Sequence, residues 1–314
     1  MANANDIRWF QSTFGGEIGS ALEGTPFDVG MLTALACQET GELWTTIRHK
    51  GLSAAQVAAL CNGDTFDDTS SSPRRAFPRN KAELLSEPNG DRMYDIARKA
   101  LIDMAGHVPG YRRVAGNPNK FCHGYGVFQR DLQFFKVDPD YFLERRYERF
   151  EGTLAHCLGE LRKGLKKLDY EDRDRLTDLE FAKVGIVYNT GGYKKHRGLK
   201  QGHYSGGKYY GEHLYDYLRL VRSVGGSGVA ARPGRFRVNV RHGLNLRKGP
   251  GTAYGITETL APGTVVTVLG YDGPGGDWAR VDLEGDGRVD GHVHAGYLKL
   301  SGEDVSPEAV PEPA

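Results

Sequence analysis

Residues 25–41 read Thr-Pro-Phe-Asp-Val-Gly-Met-Leu-Thr-Ala-Leu-Ala-Cys-Gln-Glu-Thr-Gly, and the rest of the chain can be interpreted around this stretch. Thr25 is a suitable N-cap for a helix, Pro26 suits its first position, and Asp28 can complete a capping box. Because nearly every residue in the middle of the stretch is apolar or small, the sequence predicts a helix that is buried on most of its circumference. Gly41 favours a left-handed stop at the end of this helix.

Glu39 lies at the predicted carboxyl-terminal end of this helix. Desolvation and the negative end of the helix dipole both favour the neutral carboxyl group, so we expect the pKa of Glu39 to be raised. A carboxyl group that stays protonated near neutral pH can act as a general acid. The alternative is a solvent-exposed glutamate at a fraying helix end, and this helix alone does not separate the two.

The composition is that of a globular chain with room for one large and one small domain. Of its 314 residues 39% are hydrophobic, and the first eighteen lack the basic and apolar regions of a Sec signal. No apolar run approaches the ~20 residues that span a bilayer, so we expect no membrane insertion. The formal net charge of +1 is too small to indicate a nucleic-acid partner. Four scattered cysteines fit neither a disulfide scaffold nor a zinc pattern, and we expect no cofactor and no metal.

The periodicity predicts an α+β protein, in which a mostly helical domain over residues 1–224 precedes a small all-β barrel over residues 235–301. Residues 225–234 are glycine-rich and predict a flexible linker. Residues 302–314 form an acidic, proline-bearing tail that we expect to be disordered. Further helices are predicted over residues 7–14, 142–168, 176–188 and 209–224, and another after the capping box of Ser53 and Gln56.

Two strings follow the Glu39 helix along the chain. Residues 124–131 read Gly-Tyr-Gly-Val-Phe-Gln-Arg-Asp, and residues 185–192 read Gly-Ile-Val-Tyr-Asn-Thr-Gly-Gly. Together with the pair Glu39-Thr40, and in this order, they resemble the goose-type lysozymes and the soluble lytic transglycosylases. The resemblance covers residues 27–222, including a closing aromatic helix, and it implies a lysozyme-like domain with a small β-hairpin region.

This resemblance implies cleavage of the β-1,4 bond between N-acetylmuramic acid and N-acetylglucosamine in peptidoglycan glycan strands, with Glu39 as the acid. Asp131 matches an aspartate that goose-type enzymes place across the cleft, where it would hold water as a general base. Transglycosylases use the substrate's own 6-hydroxyl instead. A salt bridge of Asp131 with Arg130 or Arg145 is the alternative to a catalytic role. The resemblance implies substrate contacts for Gly124, Tyr125, Gly126, Gln129, Tyr188, Asn189 and Gly191.

The chain departs from the family pattern in two places. The gap between Glu39 and Gly124 is longer than the family has, so residues 52–110 would be an insertion of helices that walls the cleft. Residues 116–120 hold no acid, although goose-type enzymes carry a second aspartate there, and this weakens the expectation of an activated water. Three residues could substitute for the missing acid, namely Glu42, Asp103 and His123.

Residues 244–252 read Leu-Asn-Leu-Arg-Lys-Gly-Pro-Gly-Thr and resemble the opening of bacterial SH3-like domains. Such domains usually attach cell-wall hydrolases to peptidoglycan, so the resemblance implies a wall anchor. His292 and His294 lie two apart on a predicted strand and would border a binding groove. The acids of residues 282–290 have the spacing of a calcium loop, but Val293 stands where the bidentate glutamate belongs, which favours a glycine-rich hairpin turn.

We therefore expect a monomeric muramidase that is made in the cytoplasm and reaches the wall by non-Sec export or host lysis, as an antibacterial effector or a phage endolysin would. An endolysin would need a holin, and an effector would need export machinery and an immunity protein. The spacing of residues 129–131 favours hydrolysis. Three alternatives stay open: a lytic transglycosylase with 1,6-anhydro products, a catalytically silent peptidoglycan-binding protein and a chitin-type glycosidase.

Overall fold

The computed structural model describes residues 2–63, 65, 74–224, 234–272 and 278–300. The chain divides into two compact units, Met1–Arg219 and Leu220–Ala314. The first is mostly helical and the second is mostly strand, so the predicted α+β class is confirmed. Most of the predicted linker and the whole predicted tail lie outside the described residues.

The α-helices lie in the first unit, apart from the end of the last one. Three strands of this unit form a small sheet in the order β1-β2-β3. The helices are α1 Ala4–Ala21, α2 Val29–Arg48, α3 Ala54–Ala59, α4 Lys81–Leu85, α5 Gly90–His107, α6 Arg112–Ala115, α7 Pro139–Leu143, α8 Phe150–Lys167, α9 Asp178–Thr190 and α10 Tyr210–Val224, the last of which crosses the unit boundary. The strands are β1 Asn62–Gly63, β2 Gly124–Tyr125, β3 Arg130–Asp131, and the separate hairpin β4 Tyr204–Ser205 and β5 Lys208–Tyr209.

Aromatic side chains join α1, α2 and α8 in the core of the first unit. The rings of Phe14 and Phe150 stack with their centroids 4.1 Å apart, and the centroids of Phe10 and Trp44 are 5.1 Å apart. Aromatic side chains of this size each bury about 150–250 Å² and dominate core energetics. This packing fixes the helix that carries Glu39.

Helix α1 is longer than the predicted helix over residues 7–14. Asn3 caps it, because its side chain accepts from the backbone of Asp6 while the Asp6 carboxylate accepts from the backbone of Asn3. This capping box starts the helix at Ala4.

The start of α2 also differs from the prediction. Asp28 is the N-cap, with its carboxylate accepting from the Met31 N–H at 2.9 Å. The Thr25 hydroxyl instead donates to the Leu22 carbonyl at 2.7 Å and belongs to the preceding turn. The helix therefore begins at Val29, three residues after Pro26, which the sequence analysis gave as its first position.

Gly41 does not end α2, which continues to Arg48 across a kink at Thr40, where φ is −137° and ψ is 18°. The kink is stabilised from two sides. The Thr40 hydroxyl donates to the Val127 carbonyl at 2.7 Å, and the Trp44 indole N–H donates to the Ala36 carbonyl at 3.2 Å. Side-chain donors thus occupy backbone acceptors near the break in the helical ladder.

The helix predicted over residues 142–168 is two helices, α7 and α8. Arg145 lies between them at φ 55°, in the left-handed region that a residue with a Cβ rarely adopts. A short 3-10 turn, Arg146–Glu148, follows before α8 begins. The apolar periodicity did not reveal this break.

The second unit contains a seven-stranded antiparallel sheet in the order β12-β6-β9-β10-β11-β7-β8. Its strands are β6 Gly234–Val238, β7 Leu244–Arg247, β8 Ile256–Leu260, β9 Val265–Asp272, β10 Trp278–Asp282, β11 Gly291–His294 and β12 Leu298–Leu300. Alternate residues such as Leu244 and Leu246, or Ala279 and Val281, point into one apolar core. Their neighbours along the strands remain on the outer face.

Candidate active site

A cleft of about 1090 Å³ lies in the first unit, and Glu39 is in its wall. It brings together seven of the residues singled out in the sequence: Glu39, Gly124, Gln129, Asp131, Tyr188, Asn189 and Gly191. Of the predicted insertion, the described residues that line the cleft are Gly63, Val108, Pro109 and Gly110. Stretches that lie far apart along the chain therefore form one concave surface.

Glu39 is half-buried, immediately before the kink in α2. The hydroxyl of Tyr210 donates to its Oε1 at 2.5 Å. Burial, followed by the negative charge of Glu39, raises the pKa of Tyr210 well above its usual value, so the phenol stays protonated and is a donor. Sequence reasoning missed Tyr210, because this contact joins residues 171 positions apart and no local pattern marks it.

Tyr188 and Cys157 lie near the same carboxyl group. The Tyr188 hydroxyl donates to the Phe128 carbonyl. Burial raises the pKa of Tyr188 and of Cys157 well above their usual values, and the charge of Glu39 adds to both shifts. Glu39 is therefore surrounded by phenol and thiol groups that are neutral near pH 7.

Gln129 closes the glycine-containing turn between β2 and β3. Its backbone is left-handed, with φ 51°. Its side-chain nitrogen Nε2 donates to the carbonyls of Cys61 at 3.1 Å and Gly126 at 2.8 Å. Gly126 does not line the cleft, and at φ 78° a Cβ there would lie 2.6 Å from the Thr153 hydroxyl. Gln129 and Gly126 thus shape the turn, and the Gln129 amide nitrogen is engaged with the backbone.

Tyr125 lies in the core and not in the cleft. Its side chain is fully buried, and its ring centroid is 4.7 Å from that of Tyr147. Its hydroxyl donates to the Cys122 carbonyl at 2.8 Å. The substrate contact expected for Tyr125 is replaced by a packing role, because β2 turns this side chain away from the cleft.

Asp131 lines the cleft but forms an ion pair with Arg74, whose Nη2 lies 2.5 and 2.7 Å from the two carboxylate oxygens. Asp131 Oδ1 also accepts from the Gln133 N–H at 2.7 Å. The Arg74 side chain is only 6% exposed. The sequence offered Arg130 or Arg145 as partners, but these pair with other carboxylates.

Three residues were considered as substitutes for the missing acid. Glu42 lines the cleft on the far side of the α2 kink from Glu39. Asp103 pairs with Lys99 and is not among the lining residues, and His123 is buried. Glu42 is thus the one of the three that the cleft includes.

Arg130 and His156 form a polar contact in the cleft wall. Arg130 Nη1 lies 2.5 Å from His156 Nδ1, and because a guanidinium only donates, the imidazole nitrogen accepts. Burial, then the charges of Arg130 and Lys163, lower the pKa of His156 to about 3. His156 is therefore neutral at the pH at which most enzymes work.

The outer face of the second unit's sheet carries a cluster of aromatic and charged side chains. His292 Nε2 lies 2.7 Å from Asp272 Oδ2. The ring centroids of Trp278 and His294 are 5.5 Å apart, and those of His294 and Tyr297 are 5.2 Å apart. The two histidines therefore share the outer face of the sheet, where the Tyr297 ring is exposed and the Trp278 ring is buried. The binding groove that the sequence suggested here stays a prediction.

Comparison with protein families identifies one match. Residues 242–299 match the family model of the bacterial SH3 domain. Comparisons with curated proteins and with solved structures found no match. The matched residues include strands β7 to β11 of the second unit.

Within the bacterial SH3 domain, the acids spaced like a calcium loop contact the backbone. The Asp282 carboxylate accepts from the N–H groups of Gly285 at 2.6 Å and Gly287 at 2.8 Å. These hydrogen bonds lower the pKa of Asp282 against the opposing effect of burial. The described parts of both units contain no group of three or more His, Cys, Asp or Glu side chains that could hold a metal ion. No helix in the described part of the chain is long and apolar enough to cross a membrane.

Proposed function

We propose that the chain cuts the glycan strands of peptidoglycan at the bond between N-acetylmuramic acid and N-acetylglucosamine. In this proposal Glu39 is the general acid and the bacterial SH3 domain attaches the protein to the wall. The observation that carries it is the Glu39 carboxyl group, which lies in a cleft and is held by the protonated Tyr210 hydroxyl.

The geometry of the cleft supports a polymer substrate. Its volume of about 1090 Å³ is slightly above the ~300–1,000 Å³ typical of small-molecule pockets. Protonated Glu39 would donate its proton to the leaving glycosidic oxygen as the C–O bond breaks. Tyr210 would keep the carboxyl group oriented toward that oxygen.

The contacts of Asp131 favour a particular second step. Both of its oxygens already accept hydrogen bonds from Arg74, and one also accepts from Gln133, so Asp131 is poorly placed to hold a water. This favours the lytic transglycosylase alternative over the hydrolysis expected from the sequence. The ionised Glu39 would then take the proton of the substrate's 6-hydroxyl while that oxygen bonds to C1, which gives a 1,6-anhydro sugar.

The bacterial SH3 domain supports a wall polymer as the substrate, because such domains commonly bind peptidoglycan. Linking a wall-binding module to a cleft raises the local concentration of the substrate. A chitin-type glycosidase has no comparable support from the second unit.

The experiment compares lysis and binding of purified peptidoglycan sacculi by the wild type and Glu39→Gln. We expect the variant to lyse sacculi about 10²–10⁴-fold more slowly, because the amide cannot donate the proton. It should still sediment with sacculi. Glu160→Gln is the matched control, since it removes another carboxyl group from the same cleft, and it should retain most of the activity.

Lysis by Glu39→Gln within about tenfold of the wild type would refute Glu39 as the acid. A wild type that binds sacculi without cutting them would favour the silent binding protein instead.

A further inference from the structure

A strongly basic loop connects α9 to α10. We define the basic loop as residues 192–209, which contain no Asp or Glu. Its cations are Lys194, Lys195, Arg197, Lys200 and Lys208. Lys208 pairs with Asp216, whereas the other four are exposed and form no ion pair with the residues that the structure describes. The loop therefore presents four uncompensated positive charges.

A buried glutamine holds the basic loop in one shape. The Gln201 side chain accepts from the Lys194 N–H at 2.8 Å and donates to the Lys194 carbonyl at 2.9 Å and to the Gly198 carbonyl at 2.7 Å. Gln201 is 5% exposed. The cations are consequently displayed on an ordered loop, which lowers the entropy that binding would cost.

The basic loop also lies directly against the cleft. Gly202 has φ 87°, and a Cβ there would lie 2.5 Å from the Tyr210 Cβ and 2.8 Å from the Asn189 Oδ1. Tyr210 is the residue that donates to Glu39, and Asn189 lines the cleft. The Tyr210 N–H further donates to the His203 carbonyl at 2.8 Å. Gly202 and His203 of the loop thus pack against Asn189, which lines the cleft, and Tyr210, the donor to Glu39.

One lysine of the cleft wall lies next to the start of the basic loop. Gly191, just before the loop, lines the cleft, and its carbonyl accepts from Lys167 Nζ at 2.7 Å. Lys163 also lines the cleft, but it pairs with the lining residue Glu160 at 2.7 Å. A polymer that occupies the cleft would therefore pass Lys167 beside the basic loop.

We infer that the basic loop binds the carboxylates of the peptides attached to the glycan strand that lies in the cleft. This inference rests on the proposed function. Where each lactyl carboxyl group of muramic acid is in amide linkage to a peptide, the sugar backbone is uncharged and offers lysine and arginine no anion, whereas the peptide branches carry free carboxylates. Because the loop adjoins Asn189 and Tyr210, branches of a strand that reaches Glu39 come within its range. Phosphodiester polymers of the wall have the same negative charge, so the test must separate the two sources.

The test uses the variant Lys194→Gln/Lys195→Gln/Arg197→Gln/Lys200→Gln in the full chain. The matched control removes four exposed cations that do not line the cleft, namely Lys50, Arg162, Lys166 and Arg175, also by change to Gln. Substrates are solubilised glycan strands with their peptides, and the same strands stripped of peptides by an amidase, with the freed lactyl carboxylates then converted to methylamides so that the stripped strands carry no carboxylate. Both kinds are also prepared from walls whose phosphodiester polymers were extracted beforehand.

On peptide-bearing strands we expect kcat/KM of the loop variant to fall about tenfold at low salt, and less at high salt, because exposed charges act mainly through screened attraction. On stripped strands it should stay within about twofold of the wild type, as should the control on every substrate. Equal loss on both strands would overturn the inference. So would a loss that disappears once the phosphodiester polymers are extracted.

A binding arm separates this inference from the proposed function. In the Glu39→Gln background, anisotropy of labelled strands measures binding without cleavage. The loop variant should weaken binding of peptide-bearing strands about tenfold and leave that of stripped strands unchanged. If the wild type cuts neither strand, the proposed function fails, and unchanged binding in this arm would refute the role of the loop independently.

Discussion

Glu39 and Asp131, two of the carboxyl groups that line the cleft, lie in opposite surroundings. Glu39 accepts from the neutral phenol of Tyr210, whereas both oxygens of Asp131 accept from the guanidinium of buried Arg74. A carboxyl group beside a neutral donor, such as Glu39, can release and recover a proton. A carboxylate paired with a buried cation, such as Asp131, stays ionised and stabilises the fold. The resemblance of the sequence motifs would give both residues a catalytic role, but their different hydrogen-bond partners indicate that only Glu39 has one.

The largest expected effect on stability comes from breaking the Asp131 pair. Arg74→Gln should lower the free energy of unfolding by about 3 kcal/mol, because a partly buried carboxylate loses its cation. The double variant Arg74→Gln/Asp131→Asn should cost less than the sum of the two single changes, since no charge is left unpaired. Urea unfolding followed by circular dichroism measures all three.

Arg79→Gln provides the matched control. Arg79 pairs with Glu83 on the surface, with 64% of the arginine side chain exposed, so its loss should lower the free energy of unfolding far less than the loss of Arg74. If the free-energy costs of Arg74→Gln and Asp131→Asn add up to the cost of the double variant within about 0.5 kcal/mol, the two residues do not act as a structural pair.

The variant Tyr210→Phe tests the hydrogen bond between Tyr210 and Glu39. Removing the hydroxyl leaves Glu39 without this donor, so kcat on peptidoglycan should fall about 10- to 100-fold, or roughly 1.4–2.7 kcal/mol in the barrier. Tyr209→Phe is the control, because the Tyr209 ring packs at an angle of 58° against the Tyr204 ring and Tyr209 is not the donor to Glu39. Equal activity of the two variants would argue against an orienting role for Tyr210.

His156 is another titratable group in the cleft wall, and it is neutral beside the guanidinium of Arg130. Its unfolded form binds a proton below about pH 6.5, whereas the folded form stays neutral down to about 3. The unfolded state therefore binds more protons in this window, and stability should fall with decreasing pH by up to about 1.4 kcal/mol per pH unit from this residue. His156→Gln should show a shallower fall in thermal or urea unfolding between these pH values. If the free energy of unfolding of the variant depends on pH as steeply as that of the wild type, His156 does not contribute to the loss of stability at low pH.

Local sequence signals predicted much of the fold but only part of the site. The capping box of Ser53 and Gln56 is confirmed, because it depends on residues three apart. The contacts that distinguish the two carboxyl groups join residues 57 and 171 positions apart, and they arise only when the helices pack. The kink at Thr40 was missed for the same reason, since the Val127 carbonyl that stabilises it lies in another segment.

Mass spectrometry of the sugars released from purified sacculi by the wild type tests most directly whether Glu39 works without a second catalytic carboxylate. With Asp131 held by Arg74, we predict products that end mainly in 1,6-anhydro-N-acetylmuramic acid, which is lighter by one water than the hydrolysed sugar. A digest dominated by ordinary reducing ends would show that a water is activated in this cleft and would contradict the account.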